Sequence, residues 1–318
     1  MTPARPLRFG LAGTGYWARS THAPALASAD GIEFAAVWGR NAVAARGLAA
    51  VHNAAAHDDF DAFLSDVDAV AFSVPPDVQA AIAVRAAGAG KHLLLEKPIA
   101  ISAADGEALV RAVQDAGVAS VVFFTARFQP DVRAWLADVV HPGHVVHPGH
   151  AVHPGHVVHP GRWSGGNAVW LGSALAGGSP FDTPWRRDKG ALWDLAPHVV
   201  SLLWACLGPV EAVTADAGRG DVVHLVLHHG GGATSTVTVT LGVTEAAECS
   251  DIYLWGESGR SAAPPETNQP VQALRIALTE LAGNARSGNL DHPCDVRFGR
   301  DVGRVLAEAQ RQIDARTT

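Results

Sequence analysis

The stretch LRFGLAGTGYWA at residues 7–18 decides the fold class. Its first six residues form a short, largely apolar run that predicts a strand, and a helix is predicted at about residues 17–28. Between them, Gly13 permits a tight turn, Gly15 lets a pyrophosphate approach the backbone, and Ala18 is small enough for close helix–strand packing. This G-x-G-x-x-A spacing favours dinucleotide binding over a purely structural glycine turn. The predicted cofactor contacts in the turn are Gly13, Thr14, Gly15, Tyr16 and Trp17.

Outward from this turn, the first third of the chain alternates short apolar runs with helical patterns. Further strands are predicted at residues 32–38, 67–74, 92–95 and 119–125, and helices at residues 42–51, 78–89 and 103–116. Such alternation is typical of a parallel sheet covered by helices on both faces. The sequence therefore predicts an N-terminal Rossmann domain for NAD(P) at residues 1–125.

The pattern changes from residue 126 onward, where a second domain is predicted at residues 126–318. Its longer strands, rich in Val and Thr, are predicted at residues 168–175, 210–217, 222–229, 233–243 and 252–255. Strands of this kind indicate an open, mainly antiparallel sheet. Helices are predicted at residues 191–207, 271–286 and 298–315. The predicted fold class is therefore α/β, with a Rossmann domain followed by a C-terminal α/β domain.

Composition excludes several classes of protein. The chain has 318 residues, 48% of them apolar and 17% charged, which supports two folded domains. Its formal charge of −7 argues against a nucleic-acid partner, because a nucleic-acid binder needs a basic face. Three widely separated cysteines fit a reducing compartment. With neither a signal-peptide pattern nor an apolar run of about 20 residues, the sequence predicts a cytoplasmic protein with no membrane association.

A histidine-rich repeat occupies residues 141–161. The units HPGHVV, HPGHAV and HPGHVV follow one another, and a fourth HPG begins at His159. Spaced imidazoles are typical metal ligands, whereas Pro and Gly in every unit interrupt helices and strands. We interpret the repeat as an expanded surface loop and predict no metal site, with metal binding as the alternative. Deleting residues 141–158 distinguishes the two, because only a metal function depends on them.

The end of the second predicted strand indicates the type of dinucleotide. It reads VWGRN at residues 37–41 and contains no carboxylate. An acidic residue there binds the ribose 2′-hydroxyl of NAD, whereas an arginine favours the 2′-phosphate of NADP. Arg40 and Asn41 are therefore predicted cofactor contacts, and NADP(H) is favoured over NAD(H). The alternative is that Arg40 is a solvated loop residue.

Two further motifs carry ionisable side chains. Glu96-Lys97-Pro98 follows the strand predicted at residues 92–95, and ligands of parallel sheets bind beyond the carboxyl ends of the strands. Asp194 and His198 are four residues apart, so on one helix they share a face. A carboxylate orients an imidazole, and histidine exchanges a proton near neutral pH. Taken alone, such a pair is more often capped or solvated than catalytic.

Together, the motifs resemble those of the Gfo/Idh/MocA oxidoreductases. The glycine turn, the Glu96-Lys97-Pro98 run and the helix with Gly190, Asp194 and His198 occur in that family's order and approximate spacing. The resemblance covers nearly the whole chain. It implies an NAD(P)-dependent dehydrogenase acting on a secondary alcohol or ketone of a sugar, cyclitol or related polyol. It also implies that the C-terminal domain binds this small-molecule substrate and forms homo-oligomers through its sheet.

Residue by residue, the resemblance assigns roles to the side chains. Lys97 is implied to be the catalytic lysine beside the nicotinamide, Asp194 to hold the substrate, and His198 to be the general acid/base. Further implied cofactor contacts are Val74, Pro75, Glu96 and Pro98. One departure is that Gln79 stands where the family commonly has histidine. The alternative function is a non-catalytic NAD(P)-binding sensor or regulator on the same fold, which would bind the dinucleotide without turning over a polyol.

Overall fold

The structure is a computed structural model that describes residues 5–140, 163–257, 259–265, 267 and 269–317. The histidine-rich repeat at residues 141–161, predicted to be a surface loop, lies outside the described residues. The chain divides into two compact units, one formed by Met1–Phe128 with Gln269–Arg300 and the other by Gln129–Asn268 with Asp301–Thr318. Each unit contains one six-stranded sheet.

The first unit contains a parallel sheet of six strands. In chain order these are β1 Leu7–Ala12, β2 Ile32–Trp38, β3 Ala55–His57, β4 Ala69–Phe72, β5 His92–Glu96 and β6 Ser120–Phe123. Their order across the sheet is β3-β2-β1-β4-β5-β6, and each neighbouring pair is parallel. This arrangement confirms the predicted Rossmann fold and brings the carboxyl ends of β1, β4 and β5 to one edge.

The helices follow the predicted pattern, with two differences near the predicted site. Their bounds are α1 Ala23–Ser28, α2 Ala42–Val51, α3 Phe60–Ser65, α4 Pro76–Gly88, α5 Ala103–Ala116, α6 Pro130–Val140, α7 Pro184–Asp194, α8 Ala196–Leu207, α9 Pro270–Ser287 and α10 Val296–Thr317. A π-helical turn at Ala18–His22 precedes α1 where one α-helix was predicted. The helix predicted at residues 191–207 is interrupted at Leu195. Pro197 accounts for the interruption, because it has no amide to donate to the preceding turn.

The second unit is built on a mixed sheet. Its strands are β7 Trp163–Leu171, β8 Val210–Ala217, β9 Val223–His229, β10 Thr234–Thr240, β11 Cys249–Gly256 and β12 Gly259–Ala262. Their order is β12-β11-β7-β10-β9-β8, and every neighbouring pair is antiparallel except β7 with β10. Burial alternates along β9, so one face of that strand is buried and the other is exposed. The predicted open, mainly antiparallel sheet is confirmed.

The compact units differ from the predicted division at residues 125 and 126. Helix α9 packs against α1 and against β5 and β6, which places it in the first unit. His292, which follows α9, bonds Glu280 at 3.0 Å and stacks on the Phe128 ring. A segment close to the end of the chain therefore completes the core of the N-terminal unit.

One described segment, Pro184–Leu207, is long and apolar enough by composition to cross a membrane. Most of this segment is buried inside the structure. A buried core helix of a folded domain can have the same length and composition. The segment comprises α7 and α8, and α8 packs on β7 and β10 as the core helix of the second unit.

Candidate active site

The glycine turn after β1 has a geometry that only glycine tolerates at its first position. Gly13 has φ of 134°, and its N–H donates to the Trp38 carbonyl at 2.8 Å. A Cβ atom on Gly13 would lie 2.1 Å from the Ser73 carbonyl oxygen. A Cβ on Gly15 would meet nothing within 4 Å, so the turn leaves open space at that position. The space fits the predicted approach of a pyrophosphate to the backbone.

These two glycines give a matched pair of variants. Gly13→Ala is expected to destabilise the protein by roughly 3 kcal/mol or more, because the clashing atom is backbone and the φ is strained for alanine. Gly15→Ala is expected to keep the wild-type unfolding temperature and to weaken dinucleotide binding about tenfold or more by filling the open space. Thermal unfolding and tryptophan-fluorescence titration measure the two effects. Wild-type dinucleotide affinity in Gly15→Ala would contradict the assignment of this turn.

The end of β2 lies against the same turn. A Cβ on Gly39 would lie 2.7 Å from the Thr14 side-chain methyl, so Thr14 sits directly over Gly39. Asn41 caps α2, because its side chain accepts a hydrogen bond from the Ala44 amide at 3.0 Å. Arg40 is exposed between them. The two predicted cofactor contacts at the end of β2, Arg40 and Asn41, therefore directly precede α2, and Asn41 is engaged as its cap.

The carboxylate of Glu96 joins the glycine turn to the end of β5. Its Oε1 atom accepts hydrogen bonds from Trp17 Nε1 at 2.7 Å and from His22 Nε2 at 2.9 Å. Its Oε2 atom accepts one from the Lys97 backbone N–H at 3.3 Å. The structure therefore brings together two motifs that are about 80 residues apart in the sequence. His22 was not predicted as a site residue, because a single histidine in an apolar helical pattern has no distinguishing spacing.

Gln79, near the start of α4, connects the segment after β4 to the Glu96–Pro98 segment. The Pro75 carbonyl accepts a hydrogen bond from the Gln79 backbone N–H at 2.9 Å. Val74 and Pro75 therefore immediately precede the helical turn that carries Gln79. The Gln79 side chain is buried and bonds the backbone on both sides of Lys97. Its Oε1 accepts from the Glu96 N–H, and its Nε2 donates to the Glu96 carbonyl at 2.8 Å and lies 3.3 and 3.4 Å from the Pro98 and Ile99 carbonyl oxygens. The residue noted as a departure from the family pattern thus holds the Glu96–Pro98 segment.

In the second unit, Asp194 is held by an arginine. Arg186 Nε lies 2.7 Å from Asp194 Oδ2, and the two side chains are 17% and 7% exposed. The guanidinium also lies over the rings of Trp185 and Phe181, at 4.8 and 5.4 Å from their centroids. Arginine suits this position because its planar group pairs with carboxylates and stacks on aromatic faces. The ion pair offsets the cost of burying the Asp194 charge.

His198 lies in the first turn of α8, just beyond the interruption at Leu195. The residue is 7% exposed, and its ring stacks on Trp170 with the ring centroids 5.5 Å apart. The backbone N–H of His198 donates to Leu195 O at 3.1 Å, and its carbonyl accepts from Ser201 Oγ at 2.7 Å. Sequence reasoning missed Trp170, because its position on β7 becomes significant only when the sheet and α8 pack together.

Gly190, the first residue of the predicted helical motif, marks a kink within α7. Its φ is 62° and its ψ is −164°, a conformation that favours glycine. A Cβ here would lie 3.4 Å from the Cβ atom of Asp221, whose carboxylate accepts hydrogen bonds from Thr240 Oγ1 and the Leu241 N–H. The kink sets the direction in which the turn carrying Asp194 leaves. Among the described residues, no group of His, Cys, Asp and Glu side chains is arranged to hold a metal ion.

Two family models match the chain. One, described as "Oxidoreductase family, NAD-binding Rossmann fold", matches residues 7–124, and the other, the "GFO/IDH/MocA C-terminal domain", matches residues 164–261. The chain therefore belongs to the Gfo/Idh/MocA oxidoreductase family, as its motifs predicted. This also confirms the fold class, with an NAD-binding Rossmann fold at the N-terminal end.

Two curated relatives each match less than half of the chain. The chain is 35% identical over 127 residues to 4-carboxy-2-hydroxymuconate-6-semialdehyde dehydrogenase of Sphingobium sp., covering 39% of this chain and 40% of the relative. It is 32% identical over 130 residues to inositol 2-dehydrogenase of Rhizobium meliloti, covering 40% and 39%. The matches thus span less than half the length of these relatives.

A solved structure supports the fold over the full length. The crystal structure of GenD2 from gentamicin A biosynthesis in complex with NAD has a TM-score of 0.82 and covers 99% of this chain and 96% of its own. The sequence identity is 18%, so this likeness concerns the fold alone.

Proposed function

We propose that this protein is an NAD(P)-dependent oxidoreductase acting on a secondary alcohol or ketone of a sugar, cyclitol or related polyol. The observation that carries the proposal is the 2.7 Å contact between Trp17 and Glu96. It joins the glycine turn to the segment with Lys97 at the edge of the sheet where ligands of this fold bind. Membership of an oxidoreductase family and the similarity to an inositol 2-dehydrogenase support the substrate class.

The residues of the first unit fit a bound dinucleotide. The open space at Gly15 admits a pyrophosphate, and the amides that follow it at the start of the helical segment favour an anion. Val74, Pro75, Glu96 and Pro98 would line the nicotinamide half, because they end or follow neighbouring strands. When bound, the nicotinamide supplies or accepts the hydride.

The three proposed catalytic residues have distinct tasks. The His198 imidazole would remove or return the proton of the substrate hydroxyl, because histidine exchanges protons near neutral pH. The Lys97 ammonium would stabilise the negative charge that develops on that oxygen. The Asp194 carboxylate, oriented by Arg186, would accept a hydrogen bond from a substrate hydroxyl and fix its position.

NADP(H) is the proposed preference, and Arg40 is its proposed determinant. Arg40→Ala is expected to lower the ratio of NADP to NAD affinity about tenfold, because one arginine–phosphate interaction is lost. Arg46→Ala is the control, since Arg46 lies on α2, which begins just after Arg40, and pairs with Asp58. Fluorescence titration with NADPH and NADH gives both affinities for each variant. An equal ratio in the wild type and Arg40→Ala would contradict the role of Arg40.

The proposed activity is tested by a panel of polyols and their ketones, monitored at the nicotinamide absorbance with both NAD and NADP. Turnover of at least one secondary alcohol or its ketone is expected. Dinucleotide binding with no turnover across the panel would overturn the proposal and favour a non-catalytic sensor. Deletion of residues 141–158 is expected to leave turnover intact, since the repeat is interpreted as an expanded loop.

We further propose a cytoplasmic homo-oligomer that assembles through the second sheet. Two large apolar side chains are exposed on the described strands of this sheet, Val226 at 37% and Trp255 at 39% exposure. These two side chains would be covered in the proposed assembly. The molar mass in solution, measured by light scattering, tests the assembly.

A further inference from the structure

Three donors converge on the Glu96 carboxylate from two separate segments. Trp17 Nε1 and His22 Nε2 bond Oε1, and the Lys97 backbone N–H bonds Oε2. The Glu96 side chain is 12% exposed, so these hydrogen bonds replace much of its hydration. The first two donors belong to the glycine turn and the helical segment after it. The third belongs to the residue that carries the proposed catalytic ammonium.

The buried ring of His22 depends on this carboxylate. The side chain is fully buried and meets the edge of Phe123, with the ring centroids 6.4 Å apart. Its Nδ1 atom has no hydrogen-bond partner among the described residues, whereas Nε2 faces an acceptor. The proton of the neutral ring therefore belongs on Nε2. Without Glu96, a fully buried N–H would lose this acceptor.

Gln79 completes the connection from the other side. Its amide oxygen accepts the Glu96 N–H at 2.8 Å, and its amide nitrogen donates to the Glu96 carbonyl at 2.8 Å. The same nitrogen lies 3.3 Å from the Pro98 carbonyl oxygen. One buried side chain therefore fixes the backbone before and after Lys97, while Glu96 ties that backbone to the glycine turn.

We propose that Glu96 and Gln79 are positioning residues that couple dinucleotide binding at the glycine turn to the placement of Lys97. The inference rests on the proposed function, in which Lys97 lies beside the nicotinamide. Because Trp17 and the Lys97 amide share one carboxylate, ordering of the turn by the diphosphate restrains the Lys97 backbone. The nicotinamide half then binds beside a segment that is already in place. This raises the affinity for the whole dinucleotide above the affinity for its ADP-ribose part.

Glu96→Gln is the decisive variant, because it keeps the size of the side chain and removes half of its acceptors. Glutamine has one acceptor oxygen and one NH₂ donor group. If its oxygen faces Trp17 and His22, its NH₂ group faces the Lys97 N–H, and the reverse orientation sets NH₂ against the other two donors. Either orientation uncouples one segment from the other.

The experiment measures two dissociation constants for each variant by tryptophan fluorescence. One is for the reduced dinucleotide and the other for the matching fragment, ADP-ribose for NADH or its 2′-phosphate for NADPH. In Glu96→Gln, the affinity advantage of the dinucleotide over the fragment is expected to fall about tenfold. Glu33→Gln is the control, because Glu33 lies on β2, pairs with Arg8 of β1 and is expected to keep the advantage.

A second pair of variants covers the case in which Glu96→Gln does not fold. His22→Gln retains a donor near the position of Nε2 and is expected to keep the advantage, whereas His22→Leu is expected to lose it. An advantage that is unchanged in folded Glu96→Gln or His22→Leu would overturn the coupling, as would a wild-type advantage near one. An equal loss of affinity for both ligands would indicate a purely structural role and would also overturn it.

The outcomes separate this inference from the proposed function. If the affinity advantage falls in Glu96→Gln but the wild type turns over no polyol, the coupling stands and the dehydrogenase activity fails. If the wild type turns over a polyol and Glu96→Gln keeps both the advantage and the wild-type kcat, the coupling fails and the activity stands.

Discussion

The variant His198→Gln is expected to lower kcat by about 10²–10⁴-fold, the usual contribution of a general acid/base. Glutamine keeps a nitrogen near the position of Nε2 but exchanges no proton near neutral pH. Its dinucleotide affinity is expected to equal that of the wild type, and the dependence of kcat on pH near neutrality is expected to flatten. Steady-state kinetics between pH 5 and 9 (about the range in which histidine titrates) measure this result.

The control for this variant is His224→Gln. His224 is exposed on β9, where its Nδ1 atom lies 3.0 Å from Thr238 Oγ1, so its replacement is expected to leave kcat unchanged. A wild-type kcat with a wild-type pH profile in His198→Gln would remove His198 from the mechanism. Glutamine keeps much of the side-chain volume that packs on the Trp170 ring in the wild type. A fall in kcat therefore reports the loss of the imidazole and not a loss of packing.

Lys97→Met is expected to lower kcat by about 10²–10³-fold, the typical cost of removing one group that stabilises a developing oxyanion. Methionine has a similar length and no charge, so the loss reports the ammonium and not the packing. Lys91→Met is the matched control, because Lys91 Nζ donates to the Val67 carbonyl at 2.9 Å. The control is expected to lose about 1 kcal/mol of stability and to retain its kcat.

The two catalytic variants also test the function as a whole. Turnover close to the wild type in both His198→Gln and Lys97→Met would contradict a dehydrogenase mechanism on this chain. If kcat falls in Lys97→Met but stays at the wild-type value in His198→Gln, Lys97 keeps its proposed role and a group other than His198 must act as the acid/base. KM and kcat are measured separately, since a change in KM alone indicates lost binding without lost transition-state stabilisation.

Much of the fold could be predicted because local sequence patterns indicate its strands, turns and helices. The apolar run, the glycine turn and the helix that follows predict a Rossmann unit, and β1 with its turn has the predicted bounds. The short strand Ala55–His57 was missed because it is mostly exposed and lacks a buried run. The grouping of α9 with the first unit was also missed, because packing between distant segments leaves no local signal.

Sequence patterns predicted most of the residues discussed for the candidate site, but few of the contacts between them. Glu96 was predicted to contact the cofactor, but its bonds to Trp17 and His22 depend on the folding of two distant segments. The ion pair between Asp194 and Arg186 was not predicted, because the sequence carries no signal for that contact. Pro197 was visible in the sequence as a signal for the interruption between α7 and α8, since proline removes a helical hydrogen bond.

The close packing of Thr14 over Gly39 has a consequence for how coenzyme preference changes during evolution. A carboxylate that would recognise the ribose of NAD requires a Cβ atom at the end of β2, and at Gly39 that atom meets the Thr14 methyl at 2.7 Å. An acidic replacement of Gly39 therefore requires the Thr14 side chain to rotate away or to become smaller. Residues 14 and 39 are therefore expected to vary together, with a side chain at position 39 accompanied by a small or rotated side chain at position 14.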